Sequence, residues 1–297
     1  MNFYLRCLSA FTATILLSQS FPLEMTGNTW GSGAVVAQTT GDRKEEAERL
    51  YQLGVKQLNQ SLFLEALISF EQALVISIQT QEPLLEGRIL NNIGRVYFRL
   101  GEYLKALDYY QQSLKVRQKI DDKGGVGATL DNIGLLFNEI GDYRKAYEYY
   151  KEALIVTKKA DDKVGESIIL SNIGLLYINL GQFSKALESF REALIIAKQI
   201  DDRYGEATIL NNVGIVYDKL KQSTAALDNY QQALAIRRKI IDKQGVGVTL
   251  QNIGALYYNL EQIPKALESY QQALAILKEI GSKQGETRTL SNNPSCG

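Results

Sequence analysis

The stretch that decides the fold is Leu170-Ser171-Asn172-Ile173-Gly174, with Tyr177 three residues further on. Leu170, Ile173, Gly174 and Tyr177 fall at i, i+3, i+4 and i+7, which is one face of a 3.6-residue helix. The same pattern returns every 40 residues: Leu90-Asn91-Asn92-Ile93-Gly94, Leu130-Asp131-Asn132-Ile133-Gly134, Leu210-Asn211-Asn212-Val213-Gly214 and Leu250-Gln251-Asn252-Ile253-Gly254. The aromatic slot holds Tyr97, Phe137, Tyr217 and Tyr257 in those copies. A second helical pattern follows, marked by Ala106, Ala146, Ala186, Ala226 or Ala266 and an aromatic four residues later: Tyr110, Tyr150, Phe190, Tyr230 or Tyr270. Gly181 reads as a left-handed stop between the two helices. A worn copy uses Leu50, Gly54, Ala66, Phe70 and Ala73-Leu74. Each unit is therefore a helix–turn–helix hairpin, and since one hairpin cannot bury its own apolar face, neighbours must stack.

Composition agrees with such an array and excludes much else. The 297 residues are 45% hydrophobic and 22% charged, which removes collagen-like and disordered classes. Length alone suggests about two domains, but the repeat overrides that. Lys+Arg and Asp+Glu both total 33, leaving no net field for nucleic acid or anionic lipid. Histidine is absent, which removes His-based triads and nearly every zinc site. The two cysteines, Cys7 and Cys296, stand at opposite ends of the chain and make neither a disulfide framework nor a four-cysteine metal site. No metal, cofactor or catalytic residue is expected, and the chain reads as something other than an enzyme.

The N-terminus reads differently. Arg6 precedes the uncharged run at residues 8–17 (LSAFTATILL), too short to span about 30 Å of hydrocarbon. This is the anatomy of a secretory signal peptide, and Val35-Val36-Ala37 offers a small-residue cleavage site. The expected organisation is a signal peptide over 1–37, a short linker at 38–43, an array over 44–290 and a tail at 291–297. Within the array the copies run at about 44–80, 87–120, 127–160, 167–200, 207–240 and 247–280, with a truncated seventh from 283. Export to the periplasm or outside the cell follows. An earlier cut near Ser20, or an uncleaved membrane anchor, is the alternative, and membrane contact is expected only through that segment.

The Leu, Gly, Tyr, Ala, aromatic and Ala offsets resemble the tetratricopeptide repeat (TPR) family. The period is 40 instead of about 34, and the Leu-x-Asn-Ile-Gly core is similar to the kinesin-light-chain type. The resemblance implies an all-α, right-handed superhelical solenoid that binds peptide segments or protein partners in its groove. Similar arrays occur in exported bacterial proteins, where a caspase-like CHAT domain often follows. Here the expected Asn-Ile-Gly after Leu290 becomes Asn292-Asn293-Pro294.

Three sets of residues carry this reading. Gly94, Gly134, Gly174, Gly214 and Gly254, with the five alanines, are read as packing positions where the two helices approach. There a larger side chain would overpack at a cost of about 1–3 kcal/mol. The aromatic four residues after each alanine is read as filling the gap to the following hairpin. Asn92, Asn132, Asn172, Asn212 and Asn252 stand off the hairpin's buried face. An amide carries an acceptor and two donor hydrogens, so it can meet a peptide's N–H and C=O together. By resemblance these five line the concave groove and hold peptide backbone; the alternative is that each bridges adjacent helices. Arg88, Arg95 and Arg99 cluster on one helix and could receive a ligand carboxylate. TPR arrays that bind acidic chaperone tails repeat basic residues across neighbouring units, and Leu135 and Leu175 in place of Arg95 argue against that type. Asp121-Asp122-Lys123-Gly124 lacks the alternating acids of a calcium loop, and its acids are expected beside a helix N-terminus.

The expected function is a protein–protein interaction scaffold without nucleic-acid binding. A self-associating assembly scaffold, or a regulatory array for a separate effector, are the alternatives.

Overall fold

In the computed structural model of the protein, residues 39–292 are described, and they form thirteen α-helices. Six hairpins follow one another: α1 (Thr40–Asn59) with α2 (Phe63–Gln79), α3 (Pro83–Arg99) with α4 (Tyr103–Lys119), and α5 (Lys123–Glu139) with α6 (Tyr143–Lys159). Then come α7 (Lys163–Asn179) with α8 (Phe183–Gln199), α9 (Arg203–Lys219) with α10 (Ser223–Lys239), and α11 (Lys243–Asn259) with α12 (Ile263–Glu279). Helix α13 (Lys283–Asn292) packs on the last of these. The described chain is an all-α repeat array. Two 17-residue helices and two three-residue turns account for the 40-residue period.

The helices start earlier than the sequence suggests, for a local reason. Asp122, Asp162, Asp202 and Asp242 cap α5, α7, α9 and α11, each accepting from the backbone N–H three residues on at 2.8–2.9 Å. The polar stretch read as a connector therefore includes the first turn of the next helix, and the hairpins begin near 83, 123, 163, 203 and 243 instead of 87, 127, 167, 207 and 247. The acids sit beside helix N-termini as expected. Likewise residues 40–43, expected as linker, belong to α1. Thr39 Oγ1 accepts from Asp42 N at 3.1 Å while Asp42 Oδ2 accepts from Thr39 N at 2.9 Å, a reciprocal capping box. The expected signal segment lies outside the described residues.

The middle residue of every turn is left-handed. Gly181 has φ +68°, and the N–H of Gln182 reaches back to the Tyr177 carbonyl at 2.8 Å, closing the end of α7. Where the same conformation falls on Lys221 (φ +60°) or Ile241 (φ +59°), a Cβ opposes it.

Gly174 and Ala186 lie where α7 and α8 come closest. A Cβ on Gly174 would stand 2.6 Å from Phe190 Cε1, so the glycine makes room for the ring. Phe190 and its equivalents thus pack against the glycine of their own hairpin, and they also share a buried cluster with the following one, Phe190 with Ile209 and Val216 and Tyr110 with Leu130 and Ile133. Tyr110, Tyr150, Phe190, Tyr230 and Tyr270 are buried there. Of the Tyr97-slot aromatics Phe137 is buried and the others are half-buried, with stacking in Tyr97–Tyr109 (5.4 Å between centroids) and Phe137–Tyr149 (5.4 Å). Successive first helices touch one another directly, which places α3, α5, α7, α9 and α11 along the inner side of the array.

Candidate functional site

The five asparagines lie in a line along those inner helices. Their surroundings differ from the expectation of an open ladder. Asn92 and Asn212 are only 5% and 8% exposed, and Asn132, Asn172 and Asn252 are half-buried. A first helix has its own hairpin partner on one side and neighbouring first helices on the others, so a residue off the hairpin face is covered by the next repeat.

That cover is made of hydrogen bonds. Asn132 Nδ2 donates to Asn91 Oδ1 at 3.0 Å, Asn172 Nδ2 to Asp131 at 2.9 and 3.1 Å, and Asn252 Nδ2 to Asn211 Oδ1 at 3.0 Å. Asn92 Nδ2 donates to the Tyr51 hydroxyl at 3.0 Å, and its Oδ1 accepts from Arg95 Nη1 at 2.9 Å. Each amide thus reaches the slot one residue before its equivalent in the preceding hairpin. At Asn212 that slot holds Ser171, and among the described residues no hydrogen bond joins them. Each of the four bonded amides commits an N–H to the array. Asn132, Asn172 and Asn252 are half-buried, and among the described residues their Oδ1 carbonyls accept no hydrogen bond, while Asn132 and Asn252 each keep a second Nδ2 hydrogen. The Nδ2 end of each of these four amides bridges adjacent hairpins, which is the helix-bridging alternative.

The partner slot is the feature that sequence reading missed. Tyr51, Asn91, Asp131, Ser171, Asn211 and Gln251 are polar residues on a buried helix face, and that recurrence was the available signal. Asp131 is 7% exposed, and burial pushes its carboxyl up to about 6 although the Asn172 amide pulls it down. Desolvation outweighs a single hydrogen bond here.

The three arginines separate. Arg88 Nη1 lies 3.4 Å from Glu48 Oε2, with its guanidinium 4.4 Å above the Tyr51 ring centroid. Arg95 and Arg99, one turn apart and both exposed, line a concavity of about 320 Å³ with Asn132, Phe98, Leu135 and Leu58. The Arg99 guanidinium lies 5.9 Å from the Phe63 ring centroid. Lysines sit over the Tyr97-slot aromatics, Lys145 5.0 Å from Phe137 and Lys185 5.4 Å from Tyr177, so those rings belong to the hairpins themselves.

Comparison with known proteins bears on the fold. Sequence models of the tetratricopeptide repeat match residues 85–159 and 165–239, and a second such model matches residues 246–280. No curated protein matches the sequence. Among solved structures, BtubC (BKLC) from P. vanneervenii is similar with TM-score 0.59 and 19% identity, over 82% of this chain and 92% of that one. A Rap protein complexed with competence and sporulation factor gives TM-score 0.65 and 13% identity, over 84% and 74%. The kinesin-light-chain TPR-like repeats of Podosopora anserina give 0.52 and 15%, over 67% and 98%. At these identities the structures speak to fold alone. With half of its length matched by one repeat model and its helices paired as the repeat requires, the chain belongs to the tetratricopeptide repeat family.

Proposed function

We propose that the array is a non-catalytic interaction scaffold whose inner face takes a peptide segment of a partner protein. The observation that carries this reading is the row of half-buried Oδ1 acceptors at Asn132, Asn172 and Asn252, held in fixed orientation by the bonds their Nδ2 groups donate. An oriented acceptor suits a backbone N–H of an extended segment, and Asn132 lines the concavity of about 320 Å³. The Rap protein of similar fold was crystallised with competence and sporulation factor, which is in keeping with a ligand-binding array.

Two substitution pairs test it. Asn91→Ala and Asn132→Ala break the same inter-helix bond, as do Asn211→Ala and Asn252→Ala, but only the second of each pair removes a groove acceptor. A partner captured by crosslinking from the native envelope is titrated against both double variants. Asn132→Ala/Asn252→Ala should weaken binding roughly 5- to 100-fold beyond Asn91→Ala/Asn211→Ala, since each lost bond is worth about 0.5–1.5 kcal/mol. Equal losses at matched melting temperature would leave the asparagines with architecture alone.

We infer further that the chain is exported, from residues 8–17 and the Val35-Val36-Ala37 site, all outside the described residues. Mass spectrometry of the exported protein should find Gln38 first; an intact Met1 in the cytosol would contradict export.

A second reading, self-association, draws on one observation. The outer face of α2 carries Leu64, Ile68, Val75 and Ile78 exposed at helical spacing, beside Leu104 of α4. Other second helices carry Asp108, Glu148 and Glu188 at the Ile68 slot and Lys158 and Lys198 at the Ile78 slot, while the Val75 slot keeps exposed Ile155 and Ile195 in two of them. Sedimentation over a range of concentrations tests it: a monomer throughout removes this reading.

A further inference from the structure

The outer face of α2 carries a stripe that no other second helix has. Leu64, Ile68, Val75 and Ile78 stand 52–69% exposed. With exposed Glu71 between them they follow the alternating four- and three-residue steps of a helix-packing seam. At about 100° per residue all five fall within roughly 80° of arc. At the slot of Ile68 every other second helix holds an acid: Asp108, Glu148, Glu188, Asp228 and Glu268. Leu104, at the Leu64 slot of α4, is 87% exposed and widens the apolar surface at that end.

The order of residues in the stripe selects what covers it. Leu64 and Ile78 lie seven residues either side of Glu71, and Ile68 and Val75 lie three and four residues from it. The stripe therefore reads alike from both ends, as an isologous contact between two copies requires. A two-fold axis through Glu71 sets Leu64 against Ile78 of the partner subunit, and Ile68 against Val75 of the partner subunit. A lipid surface suits the stripe poorly. The only charges on α2 are Glu65 and Glu71, so it has no Lys or Arg to meet anionic headgroups. With an acid at the Ile68 slot of every later hairpin, a third copy finds no such site, so the assembly closes at two.

We propose that the chain forms a reversible two-fold dimer through the outer face of α2, the two copies of that helix packed antiparallel about Glu71. The inference rests on the self-association reading above and names its surface, its partner and its axis. Glu71 limits the affinity, because its carboxylate meets its own equivalent at the axis and juxtaposed like charges repel. One helix face is also a small contact, below about 1,200 Å² in total, so the dimer belongs with the transient interfaces. α2 is a second helix and the inner row consists of first helices, so the groove stays open in the dimer.

Sedimentation of the full chain should show a reversible monomer–dimer equilibrium. Ile68→Glu gives α2 the residue type that α6 holds in Glu148, so melting should be unchanged while the dimer weakens about tenfold or more. Glu71→Lys, matched by Lys151 at the same slot of α6, tests the axis. Titrated against fluorophore-labelled wild type, it should bind about five- to tenfold tighter than wild type binds itself, and the gap should close as salt rises. Equal or weaker binding of that variant overturns the two-fold arrangement. Binding of wild type, and not of Ile68→Glu, to phosphatidylcholine vesicles would give the stripe to a membrane and also overturns it. A dimer indifferent to Ile68→Glu removes this inference and leaves self-association standing through another surface, whereas a monomer at every concentration removes both.

Discussion

Asn172 of α7 donates through Nδ2 to both carboxylate oxygens of Asp131 on α5, at 2.9 and 3.1 Å, across the joint between the third and fourth hairpins. The carboxylate is an acceptor only, so the amide's orientation is fixed: nitrogen toward Asp131, oxygen away from it. At the equivalent joints an amide, Asn91 or Asn211, takes the place of the acid.

That difference makes Asp131 a pH-sensitive element of stability. Its folded-state carboxyl titrates at about 6, above the ordinary 3.8, so between those values the folded chain binds more protons than the unfolded one. Stability from this group therefore falls as pH rises from about 4 to about 6 and stays low above that. Asp131→Asn keeps the acceptor for Asn172 and removes the buried charge. It should raise stability at pH 7 by on the order of 1–3 kcal/mol and leave it nearly unchanged at pH 4. Urea melts at the two pH values measure this; a loss at pH 7 would contradict it.

Gly174 is the tightest packing point of its hairpin, with Phe190 Cε1 2.6 Å from where a Cβ would lie. At Gly254 the corresponding approach, to Tyr270 Cε1, is 2.9 Å. Gly174→Ala should therefore cost about 1–3 kcal/mol, and Gly254→Ala less. Each repeat touches only its neighbours, so hydrogen exchange should quicken first in α7 and α8 and the joints beside them. An unchanged melting temperature for Gly174→Ala would mean that the two helices do not approach as described.

Ile241 holds a left-handed conformation that a β-branched residue tolerates poorly, and its side chain is 76% exposed, so little packing is lost with it. Ile241→Gly should stabilise the chain by about 1 kcal/mol, read as a rise in melting temperature. The same change at Gln81, the middle of an earlier inter-hairpin turn with φ +57°, should gain less, because only Ile241 adds β-branching. A destabilised Ile241→Gly would place the strain elsewhere.

The Asn172–Asp131 bond also marks where reading by sequence stopped. Helical spacing around Leu170 and Ala186 was enough to find the hairpins and their register, because an i, i+3, i+4, i+7 pattern is generated locally by the helix itself. The left-handed stop at Gly181 and the placing of Asp122 beside a helix N-terminus were legible for the same reason. The helix starts at Pro83 and Lys123 were not, since a Gly-rich first turn such as 123–127 looks like loop until the Asp cap is seen to hold it.

The sequence by itself determined that this chain is an array of helical hairpins with a 40-residue period and small residues where the two helices of each approach, since every one of those features is a relation between residues near in the chain. Only the tertiary structure decided what the asparagines touch and that Asp131 lies buried. Those relations join residues 41 or more positions apart, and they depend on how far each hairpin turns relative to the last. That angle is summed over side-chain packing at every joint, and no local spacing of residue types records the sum.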